Sequence, residues 1–188
     1  MSRKKKTAPP AEPREFKLMK EDSHWWSLAD YAQVFDVMRA LRPKRVLEFG
    51  PGPSTLSLIE GGAESIDTCE DVEDWAAVWD ERLVQRFPSV VSLHRYTWPD
   101  SAPLSIPGID SLRWDLALID GPHGTGRRPD VLRYAMARCP WVLMPAEEWN
   151  TKPVLRPLIT AIAKEAGRSV DFTMTGPLSG AFALVGPA

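Results

Sequence analysis

The sequence predicts an α/β fold: a doubly wound, mostly parallel sheet in three layers αβα, with an antiparallel strand from a terminal β-hairpin. Three observations predict it. From residue 44 onward, short apolar runs of strand length alternate with segments of helical period. Several of these runs end in glycine- or acid-bearing turns. The last two runs follow each other with no helical segment between them. Alternating strands and helices imply right-handed crossovers and a parallel sheet covered on both faces, whereas two consecutive strands imply a hairpin.

Residues 1–15 (MSRKKKTAPPAEPRE) are basic and then Pro/Ala-rich, without periodicity, and are expected to form a disordered tail ahead of one domain over 16–188. SHWWSLADYAQVFDVMRALRP repeats Leu28, Ala32, Phe35, Met38 and Leu41 at helical spacing, predicting a helix over 24–41 that Pro43 ends. RVLEFG (45–50) reads as a strand. GPSTLSLIE reads as a short helix stopped by Gly61 and Gly62. SIDTCE (65–70) is a second strand. A helix follows over 71–87, with Asp71 or Asp74 as its cap and Val72, Trp75, Trp79 and Leu83 as its packed face. SVVSLHRY (89–96), WDLALID (114–120) and WVLMPA (141–146) are further strands, and PDVLRYAMARC and 154–166 are helices. SVDFTMTG and AFALVG close the chain as strands joined at PLSG, adding an antiparallel edge strand.

Composition excludes several classes. With 23 basic and 25 acidic residues the net charge is −2, so no global field draws the chain to nucleic acid. Two cysteines, Cys69 and Cys139, cannot make a disulfide scaffold, and a cytoplasmic, reducing location is expected. No apolar run approaches the ~20 residues of a membrane span. No Cys/His cluster suggests zinc, and no G-x-S-x-G elbow suggests a hydrolase.

In a doubly wound sheet the ligand lies beyond the carboxyl ends of the strands, at the switch point. The first strand ends in Glu48-Phe49-Gly50-Pro51-Gly52-Pro53-Ser54-Thr55. Gly50 permits a tight turn, Gly52 allows close approach to the backbone, and the following helix offers free N–H groups to an anion. A dinucleotide fingerprint would place a third glycine where Thr55 stands. Glu70, at the end of the second strand, is placed to accept ribose hydroxyls, with Asp71 competing for that task.

VLEFGPGPSTLSL, TCED and DLALIDGPHG together resemble the class I S-adenosylmethionine-dependent methyltransferases, over about residues 25–186. The IDG-x-H segment is similar to that of small-molecule O-methyltransferases. The resemblance implies a Rossmann-like sheet with an antiparallel last strand and S-adenosylmethionine as cofactor. It implies that Gly50, Gly52 and Ser54 line the methionine end, that Glu48 and Asp120 lie near its amino group, and that Glu70 holds the ribose. The adenine contact stays open among Tyr96, Trp98 and Asp100.

His123, in the glycine-rich loop after the fourth strand, is the candidate base for an acceptor hydroxyl, with Asp120 positioning; a lone loop histidine is as readily a surface residue. Arg127 and Arg128 could clamp an acidic acceptor, although adjacent arginines are usually solvated. In the resembling O-methyltransferases the Asp120 position can bind a divalent metal with further ligands after the fifth strand. Here that segment reads MPAEEWN, offering only Glu147, Glu148 or Asn150 in place of the expected Asp-Asp or Asp-Asn pair, so no required metal is expected. The [ND]-P-P-[YF] segment of base-directed amino-methyltransferases is replaced by DGPH. Trp75 and Trp79 read as core, while His24, Trp25 and Trp26 read as a helix-start staple or a lid. The expected function is methyl transfer to an oxygen, less favourably a nitrogen, of a small molecule or saccharide. The alternatives are an NAD(P)-binding oxidoreductase and a non-catalytic nucleotide-binding protein of the same fold.

Overall fold

The computed structural model describes residues 28–98, 103–122, 126–146, 155–172 and 182–188. The chain begins there with α1 (Leu28–Leu41), which buries Tyr31, Val34, Val37 and Met38. It closes at Arg42, whose left-handed φ of 51° lets its N–H reach the Met38 carbonyl at 2.8 Å before Pro43 breaks the helix. Then come β1 (Arg45–Phe49), α2 (Pro53–Glu60), β2 (Ser65–Glu70), α3 (Glu73–Trp79) with a π-helical stretch over Asp80–Val84, and β3 (Val91–Arg95). After a long loop follow β4 (Leu116–Ile119), α4 (Arg128–Met136), β5 (Trp141–Pro145), α5 (Leu155–Glu165), β6 (Arg168–Asp171) and β7 (Phe182–Pro187).

The sheet runs β3-β2-β1-β4-β5-β7-β6. The pairs β1–β2, β2–β3, β1–β4 and β4–β5 are parallel, and β7 is antiparallel to both β5 and β6. The chain moves outward from β1 to β3 and then returns to the other side of β1, so the switch point lies between β1 and β4. β4 reads Leu-Ala-Leu-Ile and is fully buried, as a central parallel strand covered on both faces requires. One face packs Leu47, Phe49, Ala117 and Ile119 beneath Val131, Ala135, Ile159 and the loop residues Ile106 and Ile109. The other packs Val46, Leu116 and Leu118 beneath Val34, Met38, Leu56 and Trp79.

The doubly wound fold, the terminal hairpin and most element positions agree with the sequence reading, and several details do not. The antiparallel strand is not the edge: β7 lies between β5 and β6, because its Phe182–Gly186 run is buried on both faces while β6 alternates. The single helix expected over 71–87 is α3 plus the π-helical stretch, and no Asp71 or Asp74 side chain caps it. No side chain caps α3; Glu70 Oε1 instead accepts the N–H groups of Asp71 at 3.0 Å and Val72 at 2.9 Å in the turn that leads into it. Trp79 and Leu83 are buried as expected, but Val72 and Trp75 are exposed at 44% and 42%, so Trp75 is not core. The tail 1–15, His24, Trp25, Trp26 and the PLSG turn lie outside the described residues.

Candidate active site at the carboxyl ends of the strands

The site forms where the turns after β1, β2, β3 and β4 meet. Phe49 ends β1 and its carbonyl accepts the N–H groups of both Asp120 at 2.9 Å and Gly121 at 2.7 Å. The turns after β1 and β4 are thereby stitched backbone to backbone. Gly50 has a φ of 85°, and a Cβ there would stand 2.6 Å from the Gly121 nitrogen. Only glycine meets both demands. The Gly50 N–H donates to the Cys69 carbonyl at 3.0 Å, tying the turn to β2 as well.

Gly52 precedes α2, with Pro53 at its first position. Its N–H donates to Thr55 Oγ1 at 3.1 Å, and its carbonyl accepts the Thr55 N–H at 3.0 Å. Glu48 lies underneath, fully buried. Ser54 Oγ donates to its Oε1 and Thr55 Oγ1 to its Oε2, both at 2.7 Å. Burial pushes the Glu48 carboxyl up to about 7; the hydroxyl bonds from Thr55 and Ser54 limit that rise, and the nearby Asp120 charge adds to it. Glu48 and Ser54 therefore face each other beneath the turn, and both side chains are sealed from solvent. This buried brace is what the sequence reading missed. Its signal was two hydroxyl residues opening α2 behind an acid in an apolar strand.

Glu70 ends β2 half-buried, with Oε1 turned to the backbone of Asp71 and Val72 ahead of α3. Burial raises its pKa, and the Val72 and Asp71 N–H groups counter that in part. Asp71 is engaged elsewhere: its Oδ2 accepts the Trp98 indole N–H at 2.6 Å. Beside this pair, Glu70, Asp71, Arg95, Tyr96, Thr97 and Ser105 line a cavity of about 320 Å³, within the size range of small-ligand sites. Tyr96 is buried edge-on against Phe49 at 6.1 Å, and burial raises its hydroxyl above the usual tyrosine range. Trp98 packs on Tyr96 at 5.4 Å and carries the Arg127 guanidinium 4.7 Å above its ring.

Asp120 is half-buried at the end of β4, next to Gly121. The adjacent arginines point in different directions. Arg127 is exposed over Trp98, whereas Arg128 is 5% exposed and donates from Nη2 to the Asp120 carbonyl at 3.0 Å and from Nε to the Pro122 carbonyl at 3.3 Å. Arg128 is thus bound to the turn rather than solvated, which the sequence reading did not foresee. The structure brings Glu48, Gly50, Gly52, Ser54, Glu70 and Asp120 to one rim. His123, Asp100, Glu147, Glu148 and Asn150 lie outside the described residues. Among the described residues no group of three or more His, Cys, Asp or Glu side chains could hold a metal, and no helix is long and apolar enough to cross a membrane.

No protein-family model matches the sequence, and no curated protein matches it. Solved structures do match. The O-methyltransferase from Bacillus cereus, in complex with S-adenosylhomocysteine, is 13% identical at a TM-score of 0.60, covering 94% of this chain and 92% of its own. An amino pentose methyltransferase from Micromonospora echinaspora, bound to S-adenosylmethionine, is 14% identical at 0.61, covering 87% and 93%. The tomaymycin-synthesis O-methyltransferase from Streptomyces achromogenes, also with S-adenosylmethionine, is 17% identical at 0.59, covering 87% and 81%. The chain has the Rossmann-like fold of the class I methyltransferases.

Proposed function

We propose that this protein is an S-adenosylmethionine-dependent methyltransferase acting on an oxygen, less favourably a nitrogen, of a small molecule or saccharide. One observation carries the reading. The glycine turn after β1 and the Glu70 carboxylate after β2 end adjacent parallel strands, and a cavity of about 320 Å³ opens on the Glu70 side, at the ends of β2 and β3. That arrangement suits a nucleoside bearing an amino-acid arm. The residues present fit such a group: Gly50 and Gly52 themselves carry no side chains that would fill the approach, and both backbone bonds to Glu70 fall on its Oε1.

When bound, the donor supplies an activated methyl on sulfur, and the work left to the chain is alignment. Glu70 accepts the ribose hydroxyls, with Asp71 committed to Trp98. The amino-acid arm lies along the turn at Gly50 and Gly52, whose own N–H groups are already bonded to the Cys69 carbonyl and to Thr55 Oγ1. Asp120 faces the ammonium of that arm. Glu48 and Ser54 act beneath, holding the turn. His123 takes the proton from the acceptor hydroxyl as the new bond forms. No metal is assigned a step. Residues 16–188 form the working domain and 1–15 a tail. The free, buried Cys69 and Cys139 suit a reducing cytoplasm. The acceptor is a small molecule, and neither membrane nor nucleic acid is a partner.

Calorimetric titration with S-adenosylmethionine, S-adenosylhomocysteine and a nicotinamide dinucleotide tests this reading. Micromolar binding of the first two is expected, and Glu70→Ala should weaken it about 10-fold or more, or ~1.4 kcal/mol. Binding of the dinucleotide alone would replace it with the oxidoreductase reading.

A further inference from the structure

We propose that Arg128 is a positioning residue: it locks the turn after β4 against the turn after β1 and so shapes the seat for the amino-acid arm of the donor. This rests on the methyl-donor reading of the rim. Arg128 is the first residue of α4 and is 5% exposed. A guanidinium stays charged at any working pH, so its burial is costly, and the N-terminal end of a helix is the wrong end for a cation. An apolar side chain would fill the same space with neither penalty. What the charge secures is a pair of main-chain carbonyls, Asp120 at 3.0 Å and Pro122 at 3.3 Å. One planar fork spans the turn Asp120–Gly121–Pro122 from both ends.

Between those carbonyls Gly121 presses on Gly50. A Cβ added to Gly121 would lie 3.0 Å from Gly50 Cα, and one added to Gly50 would lie 2.6 Å from the Gly121 nitrogen. On the far side the Phe49 carbonyl accepts both the Asp120 and the Gly121 N–H groups. Arg128 is therefore the second anchor of the segment that carries Asp120 and leads into His123. The neighbouring arginine serves the opposite end of the crevice: Arg127 stacks on Trp98, whose indole bonds Asp71 beside Glu70. The two ends have separate supports, so losing Arg128 should disturb the amino-acid end and spare the nucleoside end.

Two probes separate these ends. S-adenosylhomocysteine has both, and methylthioadenosine has the nucleoside without the amino-acid arm. For Arg128→Met, calorimetry should give S-adenosylhomocysteine binding weaker by about 10-fold or more, with methylthioadenosine within ~3-fold of wild type. Arg128→Lys should fall between, because an ammonium offers a point donor in place of the fork. Equal weakening of both probes, or weakening of neither, overturns the assignment, since a merely structural role would not distinguish them. If Arg128→Met does not fold, Gly121→Ala tests the same turn from its other side: a selective loss of S-adenosylhomocysteine binding supports the proposal and a uniform loss refutes it. A wild-type chain that binds neither probe overturns the methyl-donor reading and this inference with it, whereas a wild-type chain that binds both leaves the variants to decide this inference alone.

Discussion

Asp67 lies in the middle of β2, nearly buried, and takes hydrogen bonds from the Trp114 indole at 2.7 Å and from His94 Nε2 at 2.8 Å. Burial alone would raise its pKa. The bonds from His94 and Trp114 outweigh burial and hold the carboxyl below its usual value of 3.8. A carboxyl depressed in the folded state stabilises fully above 3.8, and that contribution disappears as pH falls through the depressed value. Asp67→Asn should cost about 1–3 kcal/mol at pH 7, because it removes charge from a bonded, buried acceptor. Denaturant unfolding at pH 7 and near pH 3 would check this: the gap between variant and wild type should narrow in acid, and an unchanged gap would contradict it. Glu48 has the opposite sign. Its carboxyl is raised from 4.5 to about 7, so the folded state holds the proton more tightly and stability falls as pH climbs between those values. Glu48→Gln should flatten that decline, whose slope is at most ~1.4 kcal/mol per pH unit. Unfolding free energies at pH 5 and pH 7 should differ less in the variant, and an identical difference would count against the assignment. The sequence marked Glu48 as a site residue, but its sealing depends on Ser54 and Thr55, six and seven residues further on. Asp67 was legible in principle, since an acid inside the apolar run SIDTCE needs partners. Those partners come from β3 and the segment before β4, and no local pattern names them.

α3 illustrates where a helical wheel fails. Val72, Trp75, Trp79 and Leu83 share one face at 3.6 residues per turn. In the structure Val72 stands outside the helix with an extended backbone (φ −104°, ψ 113°), and the π-helical stretch over Asp80–Val84 alters the phase between Trp79 and Leu83. The buried set becomes Ala76, Trp79 and Leu83. Two tryptophans four residues apart therefore differ in consequence. Trp79→Ala should destabilise by about 3–5 kcal/mol, as removal of a packed aromatic does. Trp75→Ala should stay within about 0.5 kcal/mol of wild type, as at an exposed position. Chemical denaturation of the two variants side by side measures the contrast, and comparable losses would show that Trp75 is packed after all. At the other end of the chain the hairpin was legible, but its order in the sheet was not. Adjacency in sequence leaves either strand free to pair with β5, and the deciding feature is burial. Phe182, Ala183, Leu184 and Val185 are buried without alternation, which suits a strand between two neighbours, whereas the alternating β6 suits an edge.

At the scale of the molecule, the strand order concentrates chemistry on one side of the sheet. β1, β2 and β4 carry Gly50, Glu70 and Asp120 to the same rim, whereas β5, β7 and β6 continue the sheet away from it. This much was legible, because each of those residues follows a strand in sequence and the topology rules bring the ends together. The ties between the turns were not, since Asp71 and Trp98 stand 27 residues apart and meet only in the folded chain. If the rim binds the methyl donor, the molecule should respond unevenly. Ligand that binds only the folded state stabilises it by about 2.7 kcal/mol at a hundred times its dissociation constant. Local openings of the turns that abolish binding should be suppressed by that full amount, whereas local openings elsewhere that leave the site intact should not be suppressed. Hydrogen exchange with saturating S-adenosylhomocysteine should therefore slow most at Gly50, Gly52, Asp71, Val72 and Gly121, which border the turns after β1, β2 and β4. Amides of β6 and of α5 should slow no more than global stabilisation requires, because no turn of the rim belongs to them. Protection concentrated instead on the β5–β7–β6 side would place the ligand at the opposite end of the sheet and refute the site, even if binding itself were tight.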